Sequence, residues 1–249
     1  MTDFTGVYAK LGRAEHHLVE FEQVLQSWLS TNPVSLVATM DSTGLREELH
    51  ISLLSAIPSE LDLILGDCVH NFRSTLDYLA MTLAVTNGAD IYDSSIQFPI
   101  FNDASEFQSK GVRRIKKLPL VAQQFIEAQQ PFHRTGETWI LEELNALDNQ
   151  DKHRSVLTHK MTPLWAFEGP EGVHYEYPEH WLIEEGAHFA TVIYDAGYAG
   201  PLVRPPFHAG LTVERSNHLG FVEVQPFLRE RVLPHVRDAI IAEAVRLFP

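Results

Sequence analysis

At 249 residues and 45% hydrophobic composition the chain can bury a large core, which excludes disorder. Its single cysteine, Cys68, excludes an internal disulfide and a zinc site built on several thiolates. No run approaches the roughly 18 apolar residues of a membrane span, and the formal charge of −14, from 33 acidic against 19 basic side chains, disfavours broad nucleic-acid binding.

The first segment places Val7, Leu11, Ala14, Leu18, Phe21, Leu25 and Trp28 at alternating steps of four and three, which predicts a helix with one buried stripe ending near Asn32 and Pro33. His16 and His17 fall beside that stripe and are expected to be exposed. VSLVATM, the turn DSTG and a run through LHISLL predict a β-hairpin turning at Asp41 to Gly44. Pro58 and Ser59 then open a long helix, with Leu61, Leu65, Val69, Phe72, Leu76, Leu79 and Leu83 at helical intervals and Asn87 and Gly88 as its stop.

The stretch from Ala89 to Asn102, containing IQFPIF, is expected to be an ordered loop because Pro99 opposes regular structure while its apolar residues want burial. Asp103 followed by Glu106 has the form of a capping box for a short helix running to Gly111. Arg113, Arg114, Lys116 and Lys117 form the one basic cluster, and with no interleaved aromatic residue it is taken as the solvated face of a short helix. Helices are predicted over Leu120 to Gln130 and from near Glu137 to Arg154, the latter burying Ile140, Leu144 and Leu147.

From Val156 to about Val224, alternating runs such as HFATVIYD and LGFVEV indicate several short strands. A closing helix is predicted from Pro234 to Phe248. The fold class is therefore α+β: a helical bundle core with an N-terminal β-hairpin and a β-rich insertion before the C-terminal helix. All of it belongs to one domain, with the helical core over residues 1–155 and 226–249 and the β-rich portion over 156–225.

Two polar motifs stand out. On the long helix Asp67, His70, Ser74 and Asp77 lie opposite the leucines, flanked by Asn71 and Arg73. Short polar residues form helices less readily than Lys, Glu or Gln, so this face suits either an oriented site or a buried polar seam. In the second motif Asn145, Asn149 and Lys152 share one stripe, with Asp148 and Asp151 nearer the other border and His153 at the edge. Cations at a helix C-terminus account for Lys152, His153 and Arg154 but not for the two asparagines.

The strings GDCVHNFRSTLDYLA and LDNQDKHR resemble the two signature stretches, roughly GD, two residues, HNLRSALD and later DKHR, of a family of bacterial proteins with no secure activity. More distantly the helical part is similar to the HEPN superfamily, many of whose members are metal-independent RNases of toxin and defence systems. There an Arg and a His four to six residues apart on one helix polarise the phosphate and transfer the proton. Arg154 with His159 and Arg229 with His235 match that spacing, although Ser155 departs from the superfamily's usual residue.

Three functions follow. The resemblance implies a HEPN-like ribonuclease, or a degenerate relative binding RNA or a nucleotide, with Arg73, His70, His153 and Arg154 catalytic and Asn71, Asp77, Asn145, Asn149 and Lys152 binding substrate. It requires no cofactor or metal. The alternative is a metal-dependent small-molecule enzyme with His70, Asp67, Asp77 and Asp151 as ligands. A third is a binding or assembly protein with Trp165, Tyr175, Tyr177, Trp181 and Phe189 as contacts. The expected location is cytoplasmic, without membrane partners, and a homodimer is compatible with any of the three.

Overall fold

The computed structural model describes residues 2–134, 137–154, 160–163, 168–178, 184–205, 209–214 and 221–249. Helix α1 (Thr5–Ser30) buries all seven positions of its predicted stripe. Its chain leaves through Asn32, in the left-handed region at φ 51°. Strands β1 (Val34–Met40) and β2 (Arg46–Leu53) pair antiparallel across a turn organised by Asp41, whose Oδ1 accepts N–H bonds from Thr43, Leu45 and Arg46. Gly44 supplies the positive φ of 72° that this turn needs.

Helix α2 (Glu60–Thr86) is the axis of the molecule, with its seven predicted apolar positions all buried. It runs antiparallel to α1: Gly6 comes against Tyr78, Lys10 donates to Asn71 Oδ1 at 3.5 Å, and Cys68 Sγ donates to the Ala14 carbonyl at 3.5 Å. After the loop comes α3 (Ala104–Glu106), capped by Asp103 Oδ1 accepting the Glu106 N–H at 2.9 Å. The helical path then continues past the expected stop, through wide π-type turns at Phe107–Gly111 and into α4 (Val112–Ile115). Arg113, Lys116 and Lys117 are exposed there. Helices α5 (Leu120–Ala128) and α6 (Trp139–Arg154) follow as predicted.

The strands are β3 (Lys160–Pro163), β4 (Val173–Glu176), β5 (His188–Tyr194), β6 (Ala209–Glu214) and β7 (Phe221–Glu223). One antiparallel sheet has the order β1-β2-β5-β4, so the N-terminal hairpin is extended by strands from the insertion; a second has the order β3-β6-β7. Strand β2 turns Glu47, Leu49 and Ile51 inward. Glu47 is nearly sealed from solvent and accepts from Arg204 Nη2 at 3.1 Å and Tyr194 Oη at 3.4 Å. Phe189 is buried and Tyr175 and Tyr177 pack against the core, whereas Trp165 and Trp181 lie outside the described residues.

The C-terminal helical segment corrects the predicted start at Pro234. It begins ten residues earlier with α7 (Val224–Pro226), passes through π-type turns at Phe227–Val232 and His235–Ile241, and ends in α8 (Ala242–Leu247). Pro226 takes the early helical position, where a missing N–H costs nothing, and the wide turns flank Pro234. Arg229 grips the Glu22 carboxylate with Nε, at 2.9 Å, and with Nη2, while Gln225 adds a bond at 3.1 Å. His17 is buried against expectation and bonds Glu20 at 3.1 Å, whereas His16 is exposed as expected. The buried apolar side chains form one continuous cluster from Phe4 to Ala244. Among the described residues no helix is long and apolar enough to cross a membrane.

His235 is buried in this segment, with Nε2 making no hydrogen bond, and burial holds its pKa below the ordinary 6.5. Such a group takes up its proton more readily in the unfolded chain. The stability associated with neutral His235 is therefore complete above about pH 6.5 and is lost as pH falls through the lower folded value. His235→Leu should hold or raise the melting temperature at neutral pH and shrink the loss on acidification. An acid slope identical to wild type would show that His235 does not titrate in this range.

Candidate functional site

The two polar motifs meet where α6 packs antiparallel on α2. Three contacts set the register: Asp151 lies against Gly66, Asp148 against His70 and Asn145 against Arg73, in steps of three or four on both helices. A methyl group at Gly66 would collide with the Asp151 carboxylate, so glycine permits the close approach at this end.

At the inner end Arg73 is buried, 7% exposed, and all three guanidinium nitrogens are engaged. Nη1 donates to Asp77 Oδ1 at 2.8 Å, Nη2 to the Phe98 carbonyl at 2.8 Å, and Nε to Asn145 Oδ1 at 3.4 Å. Asp77 Oδ1 also accepts the Phe98 N–H at 2.8 Å, so both backbone groups of Phe98 are satisfied by one ion pair. Gln130, fully buried, continues the clamp: Nε2 donates to the Pro99 carbonyl at 2.8 Å and Oε1 accepts the Phe101 N–H at 3.1 Å. The IQFPIF loop is thereby latched onto the helices, and Arg73 and Asp77 serve that latch.

Toward solvent the seam changes character. The His70 side chain is 46% exposed, while the Asp148 carboxylate it bonds through Nδ1, at 3.2 Å, is 3% exposed. A carboxylate accepting this bond requires Nδ1 to carry the hydrogen, and in the neutral imidazole this leaves Nε2 to accept from Ser74 Oγ at 3.3 Å. Lys152 Nζ takes the other Asp148 oxygen at 2.5 Å. Asp151 beside them has its pKa raised, first by burial and then by the charges of Asp148 and Asp67, with His70 and Lys152 opposing. Asp67 and Asn149 are exposed. Asn71 is turned back on the helix, its Nδ2 donating to the Asp67 carbonyl at 2.7 Å.

His70 and Lys152 are thus brought together on Asp148, while Asn145 is held one turn away on Arg73. Asp77 is not with them but in the latch, and among the described residues no three His, Cys, Asp or Glu side chains are grouped to hold a metal ion. The alternative ligand set of His70, Asp67, Asp77 and Asp151 is therefore not one site. The backbone of α6 runs through His153 and Arg154, whose side chains lie outside the described part of the structure, as does all of His159. Arg229 and His235 face different neighbours, Glu22 for the first and Glu137 for the second, and do not converge.

Asp148 is the buried residue at the centre of this seam that the helical wheel put on a border. Its signal is the stripe Leu141, Leu144, Asp148, which continues the apolar face at helical spacing and marks a carboxylate that must find partners when buried. Comparison with family models, curated proteins and solved structures finds no match to this chain.

Arg73→Met should cost about 3 kcal/mol, since it strips donors from Asp77 and the Phe98 carbonyl. It should also speed amide exchange at Phe98 in hydrogen–deuterium exchange, and protection unchanged from wild type would show that the loop is held without Arg73. Asp151→Asn should raise the melting temperature at neutral pH, because the ionised form is disfavoured by the fold. That gain should fade as pH falls toward about 4, where the unfolded carboxyl is also protonated, and a gain that grows with acid would contradict it.

Proposed function

We propose that the seam between α2 and α6 is a general acid–base site in which His70 transfers the proton, Asp148 orients its imidazole, and the substrate is a small molecule. One observation carries this: a half-exposed imidazole held through Nδ1 by a carboxylate that is itself sealed from solvent. Burial and a full set of bonds mark Arg73 as structural. His70 instead opens its Nε2 edge to the surface beside a hydroxyl.

The chemistry follows from the tautomer. With its hydrogen on Nδ1, His70 takes a proton through Nε2 from Ser74, a water or a substrate hydroxyl, and Asp148 stabilises the imidazolium so formed. The proton then returns to the leaving group. The Ser74 N–H lies mid-helix within the α2 hydrogen-bond ladder, so charge developing on the substrate must be met by a side chain. Lys152 is the cation beside Asp148. The reaction class is hydrolysis or transfer at an acyl or phosphoryl centre, and it requires no metal. Asp67, Asp151 and the overall charge of −14 favour a small substrate over a polyanion.

A second reading, metal-independent RNA cleavage as in HEPN-like proteins, is favoured by Lys152 beside His70. Among the described side chains it would rest on those two residues, because Arg73 and Arg229 are committed to Asp77 with Phe98 and to Glu22.

The test is turnover in chelator of p-nitrophenyl esters, bis-p-nitrophenyl phosphate and a short single-stranded RNA. Small-substrate turnover should fall by roughly 100-fold or more in His70→Ala and in Asp148→Asn. The melting temperature of His70→Ala should hold, since that side chain is half exposed. Turnover that persists in His70→Ala would sink the proposal, and RNA cleavage lost in both His70→Ala and Lys152→Ala would favour the second reading.

A further inference from the structure

One turn beyond Ser74 on the same face of α2, a groove of about 550 Å³ opens between the start of α1, the second half of α2 and the loop before Phe98. Its size is that of a small-ligand pocket, on the order of 300–1,000 Å³. Its walls are apolar: Tyr78, Met81, Val85, Ile91 and Ile96 line it, and three of these, Tyr78, Val85 and Ile91, are exposed large hydrophobics. Gly6 belongs to the rim, where a Cβ would come within 3.2 Å of the Tyr78 ring.

The charges are all of one sign. Among the described lining residues the ionisable groups that carry charge at neutral pH are Asp3 and Asp77, and no cation lines the groove. Asp77 is held rigidly from behind, since Arg73 Nη1 and the Phe98 N–H both bond to Oδ1. Among the described residues none bonds Oδ2, and the side chain is 36% exposed. Asp3 uses Oδ1 to cap the first turn of α1 through the Thr5 N–H, at 2.9 Å. Lys10 is the nearby cation, but Asn71 and the Tyr78 ring, 5.5 Å from its Nζ, hold it outside the lining. That contact also shows the Tyr78 ring placed to receive positive charge.

A preorganised carboxylate at the edge of an apolar trough is complementary to a molecule that is hydrophobic along its length and cationic at one end. We propose that this groove binds a compact organic cation, an apolar or aromatic body bearing an ammonium group, with the ammonium on Asp77 and Asp3 and the body on Met81, Val85 and Ile91. The assignment does not depend on His70 acting as a base. The two readings fail separately, because binding here is measured with a probe that has no scissile bond.

The experiment titrates the full chain at low ionic strength with 2-phenylethylammonium, its neutral isostere 2-phenylethanol, and 3-phenylpropionate, by calorimetry or protein-observed NMR. The ammonium should bind about tenfold or more tightly than the alcohol, with the carboxylate weakest. Thr82→Trp fills the groove from the half-exposed side of α2 and should abolish binding without lowering the melting temperature. Asp3→Asn should weaken the ammonium severalfold while leaving the alcohol unchanged, and it spares the Arg73–Asp77 latch that Asp77→Asn would break. Equal affinity for ammonium and alcohol, tightest binding by the carboxylate, ammonium binding that survives Thr82→Trp, or no saturable ammonium binding would each overturn the proposal.

Discussion

A guanidinium taken out of water loses several kcal/mol of hydration and must recover it inside the protein. Arg73 recovers it from a carboxylate, a backbone carbonyl and an amide oxygen drawn from three parts of the chain. Asp77 lies one turn along α2, Phe98 in the middle of a loop, and Asn145 on α6. Because these acceptors are far apart in sequence, satisfying the one cation fixes where the loop crosses α2 and in which register α6 docks. The remaining contacts of the seam, Asp148 with His70 and Asp151 against Gly66, follow from that register at helical spacing.

The same helix face therefore holds two polar environments that differ in solvent access. At Arg73 the environment is closed and every donor is used, as a polar group in a core requires. One turn away His70 keeps an accessible edge while leaning on a sealed carboxylate. The contrast has a simple origin in the packing, since the IQFPIF loop lies over one and not the other. What separates the sealed polar residue from the accessible one here is coverage, not residue type.

Much of the helical architecture was legible because burying one face of a helix imprints a repeat of three and four on the sequence. The stripes of α1 and α2 were read residue by residue in that way. The hairpin was legible because Asp41 and Gly44 have local turn chemistry. The union of β2 with β5 was not, since pairing across 130 or more positions leaves no local periodicity. The start of the last helix was hidden by two prolines and by wide turns that break the expected spacing. Composition drew attention to both polar motifs, yet it did not show that Arg73 would be sealed and His70 left open. The deciding partner of Arg73 is a backbone carbonyl, which every residue possesses and no sequence pattern marks.

The late pairing of β2 has a consequence for how the chain is made. Its neighbour β5 is synthesised well over a hundred residues after it, and the Glu22 carboxylate waits 207 positions for Arg229. On a ribosome, then, the hairpin emerges with an open strand edge that nothing nearby can close. Alternation along β2 puts Arg46, Glu48 and His50 on the side away from Glu47, Leu49 and Ile51. Charged side chains along an unclosed edge discourage pairing with other nascent chains. The hydrophilic half of β2 thus guards the strand during the interval between its synthesis and the arrival of its partner.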